Sequence, residues 1–475
     1  MLKIHPRDNV AVAITHDEAV PFGHKAALTE IKAGAEVIKY GHAIGRAARD
    51  IRVGEHVHLD NLASTLSGHL SYDYKKKSAA LAPRPPSQFM GFRRADGRVG
   101  IRNEIWIIPT VGCVNAVGVA IARAAADMLK GSVTALHSFS HPHGCSQLGS
   151  DHENTQKILA GLARHPNAGG VLLLGLGCEN NGIDAMKQLL GEVDTKRTKF
   201  LVCQDVEDEM AAALALVEEL IDEAAGDKRE ALPTSELTVG LKCGGSDGLS
   251  GITANPLLGA FCDRLCAEGG SAILTEVPEM FGAETILMER CRDEAVFRKC
   301  AALINDFKAY LMSHGQPIHE NPSPGNREGG LTTLEEKALG CIQKGGSAEV
   351  ADVLAYGEIR HTKGLNLLES PGNDLVSATA LAAAGAQLVL FSTGRGTPFG
   401  CPVPTLKIAS NTEIFDKKRH WLDFDAGPLT AGVELSEMAD DFYTYVMDVT
   451  SGRKLCHTER QGLRDIAIFK DGVTM

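Results

Sequence analysis

Apolar and polar positions alternate in two distinct rhythms along the chain. Short apolar runs at residues 9–14 (NVAVAI), 25–31 (KAALTEI), 35–41 (AEVIKYG) and 55–60 (EHVHLD), punctuated by Gly and Pro, predict a small β barrel at the amino terminus. Three prolines within SAALAPRPPSQ (78–88) enforce extended backbone, so residues 74–90 read as a linker between this module, residues 1–73, and the rest. From Met90 onward the pattern becomes apolar strands interleaved with helical periodicity. Strands are expected at 104–111, 170–177, 199–205, 237–244, 271–277, 387–394 and 404–410, and helices at 115–130, 207–225 and 295–312. This alternation predicts two mainly parallel, Rossmann-like α/β domains, 91–234 and 235–475, divided at the charged segment GDKREALPTSE (226–236). The second is expected to be catalytic.

Composition narrows the class. With 475 residues the chain is too long for one ordinary core, and 44% apolar with 23% charged residues is a globular profile. A formal net charge of -12 and the lack of a long basic stripe argue against a nucleic-acid partner. Lys75, Lys76 and Lys77 read as part of the solvated linker. The first ten residues lack the apolar stretch of a signal peptide, and no run is long enough to span a membrane, so a cytoplasmic protein is expected. Its twelve cysteines then read as reduced thiols.

Several strands end in Gly-rich loops: GLGCENN (175–181), CGGSDGLSG (243–251) and STGRGTPFG (392–400), joined by the turn SPGND (370–374). In open α/β sheets ligands bind beyond the carboxyl ends of strands, so these loops should converge on a site. They fit neither the dinucleotide fingerprint nor the phosphate loop of nucleotide hydrolases, and a small polar substrate is the better reading. The segment HSFSHPHGCSQLGSDH (137–152) gathers His137, His141, His143, His152 and Cys145, groups suited to proton transfer, metal ligation or nucleophilic attack. His137 and His152 are more simply explained as strand-end and helix-start residues. In GEHVHLDN (54–61), an extended backbone projects His56, His58 and Asp60 from one face. Two imidazoles about 7 Å apart at their Cα atoms can chelate one divalent ion, with His24 a third ligand and His16 a poorer one. Cys113, Cys145, Cys178 and Cys243 lie at strand ends; such cysteines could hold an iron–sulfur cluster, but no C-x-x-C pair is present, and a mononuclear metal is the simpler reading.

Long motifs carry a family resemblance over essentially the whole chain. GFRRADGRVGIRNEIWIIPTVGCVN (91–115), HPHGCSQLGSDHENT (141–155), GLGCENN, CGGSDGLSGITANP (243–256), TEVPEMFGAE (275–284), ENPSPGN (320–326), TTLEEKALGC (332–341), SPGND and FSTGRGTP closely resemble the altronate and galactarate dehydratase family. The amino-terminal module, with GHK, KYG and GEHVH, looks like the β-clip (SAF) domain of full-length members. The resemblance implies a hydro-lyase that dehydrates a sugar acid, D-altronate to 2-dehydro-3-deoxy-D-gluconate, with Fe(II) or Mn(II). Galactarate or another aldonate or aldarate is the alternative substrate; an iron–sulfur hydratase and a non-catalytic sugar-acid binder are further alternatives. A homodimer is expected.

Such an elimination needs a Lewis acid for the enediolate charge, a base for the C2 proton and an acid for the C3 hydroxyl. The expected metal ligands are His24, His56, His58 and Glu179, with Asn180 a further donor. His141 and His143 are the expected base and acid, with Cys145 beside them in the catalytic set. Ser246, Asp247, Asn373, Arg395 and Thr397 are expected to grip the substrate, Arg395 through its carboxylate.

Overall fold

The computed structural model describes residues 1–16, 18–77, 80–472 and 474. The expected mixed α/β architecture with a small amino-terminal β module is what is observed. That module consists of two three-stranded antiparallel sheets. One orders Val10–Val12, Lys25–Ala27 and His56–Val57; the other orders Glu36–Lys39, His42–Ala47 and Leu62–Ala63. Val10, Val37, Ile44, Val57 and Leu62 fill the space between them. Val57 is buried while His56 and His58 on either side of it are only half-buried, which is the alternation of an extended strand. The segment expected to be one strand over 55–60 narrows to His56–Val57, because a turn closed by His58 and Asn61 follows at once.

The expected linker, 74–90, contains Ser78 and Ala79, which lie outside the described residues. Its described part runs along the carboxyl-terminal half of the chain: the Tyr74 hydroxyl donates to the Cys291 carbonyl (3.1 Å) and the Arg84 amide to that of Ala267 (2.8 Å). The basic cluster is ion-paired rather than merely solvated, Lys76 with Glu349 and Lys77 with Glu289.

The middle of the chain builds a four-stranded parallel sheet in the order Ala135–Ser138, Glu104–Pro109, Ala168–Gly175, Thr198–Val202. Seven of the eight residues of Ala168–Gly175 are buried, as expected of a strand covered on both faces. The helix Glu209–Ala225 starts where the Asp208 carboxylate accepts the Ala211 amide hydrogen. The following charged segment contains a strand, Glu230–Pro233, which pairs antiparallel with Gln88–Arg93 and buries Leu232. Its single inward side chain hid it from a pattern search.

The rest forms a seven-stranded parallel sheet. Its order is Val350–Leu354, Gly364–Leu368, Ser271–Leu274, Thr238–Cys243, Leu388–Thr393, Thr405–Ala409, Phe424–Asp425. From Thr238–Cys243 the chain first builds toward one edge, then returns to add Leu388–Thr393 on the opposite side. The crevice between these two strand ends is therefore a topological switch point, where ligands bind in such sheets. The four-stranded sheet has its own switch point between Glu104–Pro109 and Ala168–Gly175. No helix among the described residues is long and apolar enough to cross a membrane.

Buried charge docks the β module on the larger sheet. Lys25 and Lys39 of the module each place their ammonium group 2.8 Å from one carboxylate, that of Glu336. All three side chains are at most 1% exposed. Close backbone approach completes the contact: a Cβ at Gly248 would lie 1.9 Å from the Gly23 carbonyl oxygen, so the loop there admits only glycine.

Candidate functional site

Docking carries three histidines of the module to the mouth of the larger sheet's switch point. His24 precedes the strand Lys25–Ala27, which pairs with His56–Val57, so the ladder itself brings His24 beside His56 and His58. The three ring centroids are 5.1 to 5.2 Å apart, and His24 Nδ1 lies 3.0 Å from His56 Nε2. His24 Nε2 and His58 Nε2 each lie 3.1 Å from a main-chain carbonyl, of Glu328 and Arg327 respectively. A carbonyl only accepts, so both Nε2 atoms carry hydrogen and each Nδ1 keeps a lone pair, that of His24 facing His56 Nε2. This is the outer-shell arrangement that orients imidazole ligands on a metal.

Electrostatics favour the ligating form. Burial, reinforced by His24 and His58, pushes the His56 pKa down to about 4. Burial also lowers His24, with His58 and Lys25 adding to it against the raising effect of the Glu328 carbonyl. Both rings are neutral at pH 7, as metal ligation requires. One nitrogen from each ring falls within 4.8 Å of the others. Three imidazoles with open positions beyond them fit a catalytic first-row divalent ion.

His24 also lines a cavity of about 690 Å³, together with Asp247, Glu328, Gly394, Arg395 and Asn411. The Gly-rich loops after Thr238–Cys243 and Leu388–Thr393 thus meet the histidines here. Arg395 donates to Glu328 at 3.1 Å while its side chain stays 46% exposed. Asp247 is differently employed: its carboxylate accepts from the Ser250 amide and hydroxyl, the Ser410 hydroxyl and the Asn411 amide group. It ties the loops together. The Ser246 hydroxyl beside it is buried with no partner among the described residues. Asn373 and Thr397 do not line the cavity: Asn373 caps the helix Asp374–Ala383 by accepting from the amides of Leu375 and Val376, and Thr397 accepts the Phe399 amide.

On the opposite wall, pattern reading gave His16 only as a poorer metal ligand and missed Glu413. His16 stacks on Phe22 with centroids 4.7 Å apart, and its Nε2 lies 3.2 Å from Glu413 Oε2; all three side chains line the same cavity. Glu413 follows the strand Thr405–Ala409 at the same sheet edge, which was the signal available.

The histidine-rich segment lies elsewhere, at the carboxyl edge of the four-stranded sheet, and none of its residues lines this cavity. His141 Nε2 donates to the Pro109 carbonyl (2.7 Å) and its Nδ1 accepts the His143 amide (3.2 Å), so both nitrogens are committed to backbone. Burial pushes its pKa down to about 4 and lowers that of His143. Cys145 is exposed nearby. Glu179, expected to join the metal set, belongs to this second edge: it takes the Thr110 hydroxyl (2.7 Å) and the Gly177 amide (2.7 Å). Burial would raise its pKa, but these hydrogen bonds hold it lower. Asn180 accepts the Ser146 amide at 3.0 Å in the same loops.

A second group with ligand atoms within 4.8 Å, Cys243, Glu279 and Cys341, is fully buried. Lys337 lies 2.7 Å from Glu279, and Lys344 lies 2.8 Å from the Cys243 sulfur. Those ammonium groups already supply the positive charge, and a divalent cation beside them would be repelled. The group is a charge-paired core.

Comparison with known proteins bears on what this geometry serves. Residues 14–65 match the altronate/galactarate dehydratase SAF domain, 91–225 the second domain of D-galactarate dehydratase/altronate hydrolase, and 234–474 the carboxyl-terminal domain of D-galactarate/altronate dehydratase. The altronate dehydratases of Bacillus subtilis (strain 168) and Escherichia coli (strain K12) are 52% and 50% identical to the chain, covering 100% of it and 99% of their own lengths. The galactarate dehydratase (L-threo-forming) of Escherichia coli (strain K12) is 31% identical over 98% of the chain and 96% of its own length. With its two α/β sheets and the docked β module that completes the cavity, the chain belongs to the D-galactarate/altronate dehydratase family.

Proposed function

We propose that the chain dehydrates D-altronate to 2-dehydro-3-deoxy-D-gluconate, using Fe(II) or Mn(II) held by His24, His56 and His58. The observation that carries this reading is the cluster of three imidazoles, one of which, His24, lines the same cavity as Arg395. The near 50% identity to two altronate dehydratases, against 31% to the galactarate enzyme, supports the choice of substrate. A divalent ion bound there supplies Lewis-acid stabilisation for the negative charge that develops when the C2 proton leaves.

The chain's own groups account for the other steps. Arg395 pairs with the substrate carboxylate, fixing which end of the sugar acid faces the histidines. His16, held by Glu413, takes the C2 proton at its free ring nitrogen. The C2–H electron pair becomes the C2–C3 double bond as the C3 hydroxyl departs, and the imidazolium returns its proton to that hydroxyl, releasing water. The enol then tautomerises to the 2-keto acid. Asp247 fixes its own loop and, through the Asn411 amide that also donates to the Gly394 carbonyl, the neighbouring Gly-rich loop throughout.

The test is a 2-keto-3-deoxy acid assay across altronate, galactarate, glucarate and mannonate, each with Fe(II), Mn(II) and Mg(II). Turnover should be greatest on altronate with Fe(II) or Mn(II). Turnover confined to galactarate would overturn the substrate assignment.

A further inference from the structure

The proposed function leaves the second switch point without a role, and the chain's three exposed cysteines lie there. Of the twelve cysteines, Cys113, Cys145 and Cys178 are exposed, while the other nine are buried or partly so. Free cysteine is among the most buried residue types, so exposure of these three alone is unusual. Each occupies the loop after one of three adjacent parallel strands: Cys113 after Glu104–Pro109, Cys145 after Ala135–Ser138, Cys178 after Ala168–Gly175. They therefore flank the crevice where the strand order reverses.

The loops are locked together beside the sulfurs. The Gly112 amide, next to Cys113, donates to the His143 carbonyl at 2.9 Å; the Asn181 amide donates to the carbonyl of Gly144, next to Cys145, at 3.0 Å. Asn181 also donates its side-chain amide to the Thr110 carbonyl (3.0 Å). Thr110 and Glu179 close the crevice floor at 2.7 Å. The backbone around Cys145 is tightly constrained: a Cβ at Gly144, where φ is 101°, would lie 2.0 Å from the Thr110 carbonyl oxygen, and Ser146 is held in the left-handed region at φ 58°. Strain kept in place by surrounding contacts concentrates at functional sites.

We propose that Cys113, Cys145 and Cys178 ligate an iron–sulfur cluster. Among the described residues, the groups of three ligand atoms within 4.8 Å of one another do not include these sulfurs, so they are spread wider than the ligands of one ion. A cluster takes its thiolates on different iron atoms and accepts that wider spacing. Three cysteines also leave one iron of a four-iron core without a thiolate, open to water or to a hydroxy acid. The three thiols lose their protons on binding. The site is separate from the three-histidine centre and does not depend on it.

The test is anaerobic reconstitution of the full chain with ferric iron, sulfide and excess dithiothreitol, which supplies the electrons for a mixed-valence core. Iron, acid-labile sulfide, visible absorbance and the EPR spectrum of the dithionite-reduced protein are then measured. The wild type should hold about four irons and four sulfides per chain. Cys113→Ser, Cys145→Ser and Cys178→Ser should each lower sulfide at least fivefold with the thermal melt unchanged. Cys203→Ser and His56→Ala should keep the cluster. Iron without sulfide in the wild type, or undiminished sulfide in the triple serine variant, would overturn the proposal.

Discussion

His56 stands on a two-residue strand, and the burial of Val57 beside it turns the ring toward His24. The alternation that places His56 and His58 on one face was legible in the sequence, because an extended backbone fixes it locally. The pairing of His16 with Glu413 was not, since 397 positions separate them and only tertiary folding makes them neighbours. Asn373 shows the reverse: a polar residue in a strand-end loop looked like a substrate contact, but a helix start needs its oxygen more. The two remaining roles at the cavity separate kinetically. Arg395→Ala removes a charge-assisted contact to the carboxylate worth about 2 kcal/mol, so KM should rise roughly thirtyfold. His16→Ala should instead lower kcat by about 100-fold or more, the usual contribution of a positioned base. Steady-state kinetics on altronate would contradict these roles if Arg395→Ala left KM unchanged or His16→Ala left kcat unchanged.

Among the elements, strands with unbroken apolar runs, such as Ala168–Gly175 and Leu388–Thr393, could be read directly. Val350–Leu354 and Gly364–Leu368 could not, because the buried polar residues Asp352 and Asn366 interrupt their patterns. Nor could pattern show that the β module docks through Lys25, Lys39 and Glu336, since each was an ordinary charged residue until folding buried it. Burial alone would raise the Glu336 pKa, but the two ammonium groups outweigh it and hold the carboxylate well below its usual range. A depressed acid contributes stability that is fully present above its ordinary pKa, 4.5, and is lost as pH falls below that value. Glu336→Gln leaves two buried lysines uncompensated and should cost about 3–5 kcal/mol at pH 7. The gap from wild type should narrow below pH 4.5, where Glu336 of the unfolded wild-type chain takes up a proton that the folded carboxylate does not. Thermal melts of both proteins from pH 7 to pH 3 check this, and a gap independent of pH would contradict it.

On the scale of the whole molecule, two parallel sheets offer two switch-point crevices, and the β module covers only that of the larger sheet. The Gly-rich loops signalled both crevices, and the expectation of a single converging site merged them. Strand order decides which loops meet, and a linear pattern does not carry it. Catalysis as proposed requires the module to bring its histidines to the cavity as metal ligands. Calorimetric titration of Mn(II) tests this most directly, because Mn(II) alone builds no iron–sulfur cluster and so reports on the histidine centre. Wild-type protein should bind one ion per chain and turn over altronate, and His56→Ala should lose both while melting at the wild-type temperature. A His56→Ala protein that still bound Mn(II) tightly and turned over altronate at the wild-type rate would contradict it.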